Sequence, residues 1–168
     1  MTLIILSCFG GVLAQEIERK FLVQGLTQDF LSILNSISIR QFYISLEPVV
    51  RVRITDQGSF LTLKGKGVIS KAEFEYSIPT PDAEQMANLR KGSDVIKKRY
   101  LYDYRNHLWE IDVFEGENAG LVVAEIELEH DDEEFEMPSF IATEVTATPG
   151  YSNANLSLRP FSRWNISL

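Results

Sequence analysis

From Glu16 onward, apolar and charged side chains alternate with a period of two, the pattern of a strand that buries one face and wets the other. Seven segments carry it: 16–22, 49–54, 60–66, 72–78, 95–102, 107–114 and 121–129. Turn formers separate them at Gly58, at Gly65 with Gly67, at Arg105–Asn106 and over 115–120. Helical spacing is rarer. Residues 26–36 place Leu26, Phe30, Leu31, Ile33 and Leu34 at helical intervals, with Thr27 as a candidate N-cap. Residues 81–91 follow Thr80 as N-cap, put Pro81 at the first helical position and pair Met86 with Leu89. The acidic run 131–136 fits the first turn of a short helix and a solvated loop equally well. The expected class is mainly β (α+β), antiparallel, with a few helices laid over the apolar side.

Sorting each strand by face sharpens this picture. One face carries Glu16, Glu18, Lys20, Arg51, Arg53, Lys64, Lys66, Glu73, Glu75, Lys97, Arg99, Glu110, Asp112, Glu125, Glu127 and Glu129. The other carries Ile17, Phe21, Val50, Val52, Leu61, Leu63, Phe74, Tyr76, Tyr100, Trp109, Ile111 and Ile126. A simple half-solvated sheet would mix signs and neutral polar residues on its wet side. Here like charges repeat two residues apart, about 6.6 Å by strand rise. Burying such a set dry is ruled out, because each buried ion costs several kcal/mol against a whole-domain stability of about 5–15 kcal/mol. A barrel closed around this face makes a wet tunnel with acidic and basic walls, suited to a polyanion chelated to a divalent metal. Without metal the acids repel each other, so Glu125→Gln or Glu127→Gln is expected to raise the melting temperature in chelator while abolishing activity.

Charge and composition narrow the partners. The chain has 168 residues, with 16 basic and 24 acidic side chains and a formal net charge of −8. Such a surface repels nucleic acid and anionic membranes, so neither is an expected partner. One cysteine and two histidines exclude a disulfide framework and a histidine-rich metal site. His107 and His130 flank strands and are read as solvated. Trp109, Phe114 and Tyr100 are read as outer-face core. Residues 1–14 carry no charged side chain and are shorter than the about 20 apolar residues of a membrane helix. Val12 and Ala14 satisfy a small-residue cleavage rule, but no positive side chain precedes the apolar stretch. The expectation is an extension outside the fold, then a single domain over 15–168, in a cytoplasmic protein that is a monomer or homodimer.

The ordered motifs resemble one family. Glu16-Ile17-Glu18-Arg19-Lys20 matches the ExExK opening of the CYTH superfamily, the triphosphate tunnel metalloenzymes. Arg51-Val52-Arg53, Thr62-Leu63-Lys64, Glu73-Phe74-Glu75, Lys97-Lys98-Arg99, Glu110-Ile111-Asp112, Glu125-Ile126-Glu127 and Glu144-Val145-Thr146 follow in the family's order. The resemblance spans Gln15 to about Trp164. It implies an eight-stranded closed antiparallel β tunnel with a charged lumen and helices outside. It also implies a Mg²⁺- or Mn²⁺-dependent enzyme acting on a small-molecule triphosphate.

Carried onto this sequence, Glu16, Glu18, Glu75, Asp112, Glu125 and Glu127 match metal-side acids, with Glu73 less certain. Lys20, Arg51, Arg53, Lys64, Lys97 and Arg99 match phosphate-side bases. Tyr43 sits where small bacterial members pair a tyrosine with the first-strand lysine, so Lys20 and Tyr43 are the catalytic candidates, with a second metal as the alternative for activating water. Many members carry a basic stretch near the C-terminus. Here Thr148-Pro149-Gly150-Tyr151 and Ser152-Asn153-Ala154-Asn155 stand instead, unless Arg159 substitutes. Inorganic triphosphate is the favoured substrate because no base-reading motif is evident. The alternatives are an adenylate cyclase, a thiamine or nucleoside triphosphatase, and a non-catalytic polyphosphate- or nucleotide-binding module. A membrane barrel is disfavoured, because the strands are short and interleaved with helical segments.

Overall fold

The computed structural model describes residues 17–64 and 73–164. Glu16, Gly65, Lys66, Gly67 and the 1–14 extension lie outside the described residues. Nine strands form one antiparallel sheet: β1 (Ile17–Val23), β2 (Asn35–Leu46), β3 (Val49–Thr55), β4 (Gly58–Lys64), β5 (Glu73–Ile78), β6 (Lys91–Tyr104), β7 (His107–Glu115), β8 (Val122–Leu128) and β9 (Ile141–Glu144). Their order is β5-β4-β3-β2-β6-β7-β8-β1-β9. Among the described residues the sheet is therefore nine-stranded and its hydrogen bonding does not close, where a closed eight-stranded tunnel is expected. Among the described residues no ladder joins β5 to β9. The edge strand β9 is four residues long, and its pairing with β1 is broken by a register shift between Phe21 and Val23.

The helices are shorter than the periodicity predicts. α1 spans Gln28–Ser32, capped by the Thr27 hydroxyl, which accepts from the Phe30 amide at 3.2 Å. The chain then enters β2 at Asn35, where the helical reading ran on to 36. α2 spans Thr80–Met86 with Pro79 as its N-cap residue. Thr80 makes no cap bond; its hydroxyl pairs with that of Ser59 at 2.9 Å. The buried contacts of this segment come from Ala83 and Ala87, while Leu89 is exposed. The acidic run 131–136 forms turns and loop, held by Phe135 against Phe21 and Trp109. The β6–β7 hairpin turns where expected, with Arg105 and Asn106 both at positive φ.

The apolar strand face supplies two clusters. Phe21, Trp109, Ile111, Ala124, Ile126 and Leu128 pack under Phe30, Phe135 and Phe140. Phe42 and Val52 pack under Ala83 and Ala87. A third cluster lies on the opposite face. Val95, Phe114 and Val123 share parity with Lys97, Asp112 and Glu125, and they pack against Leu156 of α3 (Asn153–Leu158). Phe114 is thus on the charged face, directly opposite Lys97 in register, and not in the outer core as expected. Three strands turn apolar along that face at one end, and α3 caps them there. Gly92 permits the approach. Its φ is +74°, and a Cβ would come within 2.4 Å of the Ser157 carbonyl oxygen. Among the described residues no helix is long and apolar enough to cross a membrane.

Candidate functional site

Alternation and register bring the charged residues of β1, β6, β7 and β8 onto one wall. Lys20 lies opposite Glu125, Glu18 opposite Glu127, Arg99 opposite Asp112 and Glu110 opposite Glu125. Lys20 Nζ reaches Glu125 at 2.8 Å and Glu18 at 3.2 Å. Arg99 clasps Asp112 through Nε and Nη2, each at 2.7 Å, reaches Glu125 at 2.9 Å and pairs with Glu110. Lys97, fully buried, pairs with Asp112. Burial opposes the charge of Glu125, but Lys97, Lys20 and Arg99 outweigh it and hold the carboxyl well below its usual range. Burial likewise opposes the Lys20 charge, and Glu125 with Glu18 overrides it, so the ammonium sits above its ordinary value. Burial pushes Glu110 up against the pull of Arg99.

The facing wall, from β2, β3, β4 and β5, has a different chemistry. Arg51 Nη2 donates to the Thr62 hydroxyl at 3.0 Å and lies 3.3 Å from Glu75, which accepts from Thr62 at 2.8 Å. Lys64 pairs with Glu73 at 2.7 Å. Among the described residues Arg53 makes no ion pair: its Nε donates to the Gln41 amide oxygen at 3.3 Å. Burial, then Arg51 and Arg99, lower the Arg53 guanidinium to about 10. Gln41 Nε2 in turn donates to the Tyr43 hydroxyl at 3.2 Å. Burial pushes the Tyr43 phenol up, against the nearby positive charges of Arg51 and Arg53.

Several expectations change on contact with this geometry. Lys20 is bonded to two carboxylates and Tyr43 to Gln41; among the described residues the two share no hydrogen bond. Glu127 is exposed, at the open end of its strand, beside the half-exposed Glu18. Glu125 is bonded to Lys20 and Arg99, so its neutralisation is expected to lower the melting temperature rather than raise it. Arg159 is exposed at the C-cap of α3. His107 is half-buried and bridges Glu133 at 2.8 Å, far from solvation as a lone side chain, while His130 is exposed. The sequence reading left three contributors outside its site: Glu110, Gln41 and Thr62. Glu110 carried a signal, its parity with Asp112. Gln41 and Thr62 are neutral, and only their full burial on a charged face marks them.

The acids test their fit to a divalent metal. Among the described residues no three acidic or histidine side chains converge on one point. Each of Glu125, Asp112 and Glu110 is turned toward a lysine or arginine. The donor chemistry nevertheless fits a hard cation. One like-charged pair, Glu18 with Glu127, stands directly opposite across neighbouring strands with no shared cation among the described residues, whereas Arg99 already joins Glu110 to Glu125. To reach one ion together, Glu125 and Asp112 would have to turn away from Lys20, Lys97 and Arg99.

An open antiparallel sheet with a two-signed concave face, its ordered motifs intact, defines the class. The model of the CYTH domain matches residues 14–160, and the chain belongs to this family. It is similar to an inorganic triphosphatase of Acetivibrio thermocellus, 38% identical over 90% of this chain and 99% of that protein. It is also similar to an inorganic triphosphatase of Nitrosomonas europaea, 33% identical over 85% of this chain and 97% of that protein. The crystal structure of the inorganic triphosphatase NE1496 superposes with a TM-score of 0.67, at 30% identity, over 88% of this chain and 97% of that one.

Proposed function

We propose that this chain is a triphosphatase that hydrolyses a terminal phosphoanhydride of inorganic triphosphate. The observation that carries the reading is Arg53: a half-buried cation on the charged face whose only polar partner among the described residues is an amide. An unneutralised guanidinium of this kind suits a phosphoryl oxygen, which its planar fork can grip through two nitrogens. Arg51 and Lys64 extend the same wall. Lys97 and Arg99 face it from across the tunnel. The two similar inorganic triphosphatases support the choice of substrate.

Glu18, Asp112, Glu125 and Glu127, with Glu75 and Glu16 as further acids, would hold Mg²⁺ or Mn²⁺. Such an ion, when bound, neutralises phosphate charge and polarises the bond to be cut. The protein's part is positioning. Arg51, Arg53 and Lys64 fix the polyanion. Lys20, held protonated by Glu125 and Glu18, acts as a donor that orients the attacking water or a phosphoryl oxygen, and Tyr43 donates from the opposite wall.

The test is phosphate release from a panel of triphosphates with Mg²⁺ or Mn²⁺. Inorganic triphosphate is expected to turn over faster than ATP, and only with metal. Pyrophosphate and 3′,5′-cyclic AMP as main products from ATP would assign a cyclase. Turnover of none would assign a binding module.

A further inference from the structure

Gln41 is the largest neutral polar side chain fully buried on the charged face. It sits on β2 directly opposite Arg53 on β3 and Val95 on β6, flanked along its own strand by Ile39 and Tyr43. Both ends of its amide are engaged. Arg53 Nε can only donate, so the Gln41 oxygen must face it and the amide nitrogen must face Tyr43. The Tyr43 oxygen therefore accepts, and its own proton points away from Gln41. The result is a directional relay: Arg53 to Gln41, Gln41 to Tyr43, and Tyr43 outward with its O–H. Among the described residues the two terminal nitrogens of Arg53 have no protein partner.

We propose that Gln41 is a positioning residue for polyphosphate binding: it orients Arg53 without neutralising it and turns the Tyr43 hydroxyl outward as a donor to a phosphoryl oxygen. The inference rests on the triphosphatase reading and adds the side chain that prepares its two ligands. An amide is suited to both tasks. A carboxylate at this position would form an ion pair with Arg53, cancelling the charge an anion needs. It would also accept from Tyr43, turning the phenolic proton back into the wall. An alkyl side chain would leave the half-buried guanidinium without any partner.

Gln41→Glu separates this role from mere packing. The ion pair it creates is expected to raise the melting temperature of the ligand-free protein, and the same ion pair is expected to weaken inorganic triphosphate binding by about tenfold or more in calorimetry. A higher melting point with lower affinity is a combination that a packing role does not produce. Tyr43→Phe, which leaves Arg53 tethered, is expected to lower kcat with little change in KM. If Gln41→Glu does not fold, Gln41→Met keeps the volume and untethers Arg53, and its KM for triphosphate is expected to rise about tenfold while kcat falls no further than in Tyr43→Phe. Wild-type affinity in Gln41→Glu, or wild-type KM in Gln41→Met, overturns the proposal. Failure of the triphosphatase reading looks different: wild type would turn over no triphosphate. Stabilisation by sulfate, which needs only an unneutralised Arg53, would then still have to be larger in wild type than in Gln41→Glu for the proposal to stand.

Discussion

The two walls of the charged face use the same residue types to opposite ends. On β1, β6, β7 and β8, five acids meet three bases, and every base is bonded to at least one carboxylate. On β3, β4 and β5, three bases meet two acids, and Arg53 is left to an amide. The first wall is an ion network that holds itself together in the absence of ligand. The second keeps a cation in reserve at the expense of burying it incompletely paired. The difference teaches that a charged lumen is not one electrostatic object. Stability is concentrated on the acidic wall and readiness for an anion on the basic one, so equal changes of charge on the two walls are expected to act in opposite directions.

The largest effect should follow from breaking the acidic wall at its centre. Glu125→Gln leaves Lys20 and Arg99 each short of a carboxylate in a buried setting. Breaking a buried pair costs about 3–5 kcal/mol, so the variant should melt well below wild type in chelator. If Glu125 serves as a metal-side acid, the variant should also lose turnover by about 100-fold or more. Melting at or above the wild-type temperature would mean that repulsion among the acids outweighs these bonds, and the walls would not differ as argued.

A smaller consequence concerns acid. The Glu125 carboxyl is held below its ordinary value of 4.5 in the folded protein. A depressed carboxyl contributes stability that is complete above the unfolded value and lost as pH falls toward the folded one. Wild type should therefore begin to lose its advantage over Glu125→Gln as pH falls below about 4.5, and the gap between the two melting temperatures should narrow steadily with further acid. A gap independent of pH would assign the lost stability to packing rather than to charge.

On the basic wall the expected signs change. Arg53→Ala removes a cation that lacks a protein counter-ion, so the ligand-free melting temperature should hold or rise. KM for inorganic triphosphate should increase by about 10- to 100-fold with a much smaller effect on kcat, as for a contact made equally in the ground and transition states. A fall in stability resembling that of Glu125→Gln would erase the contrast between the walls.

How much of this is legible in the sequence depends on the side chain. Charged residues at period two announce their face, and parity alone places Lys20, Arg51, Arg53, Lys97, Arg99, Asp112 and Glu125 together. Two kinds of residue escape it. Gln41 and Thr62 are uncharged, and their strands would read the same whether they lay in water or in the tunnel. Val95, Phe114 and Val123 are apolar on the charged face, because α3, distant in sequence, covers that end; no local pattern reports a cover made by another segment. β2 escapes for a related reason. Ser36 and Ser38 alternate with isoleucines just after a stretch of helical spacing, and that spacing runs on to the strand's second residue. The pairing of each charge was equally illegible. Spacing along one strand shows that Glu125 and Glu127 repel, whereas the neighbouring strands decide that Lys20 and Arg99 reach the first and that the second is exposed.

That last distinction yields the smallest and most discriminating expectation. Glu127 differs from Glu125 by two positions on one strand and by nothing in its chemistry. It is exposed, and its partner in register is Glu18, another carboxylate. Like charges directly opposite across an antiparallel pair are unfavourable by roughly 0.2–1 kcal/mol, with exposure placing this pair at the low end. Glu127→Gln should therefore leave the melting temperature in chelator unchanged or raise it slightly, where Glu125→Gln lowers it. If Glu127 serves as a metal-side acid, the same variant should still lose activity, and metal with triphosphate should stabilise it less than wild type. A drop in chelator comparable to that of Glu125→Gln would show that the outer carboxylates too are structural ions. The acidic wall would then owe its whole composition to folding, and the division of labour across the tunnel would fail at the point where ligand must enter.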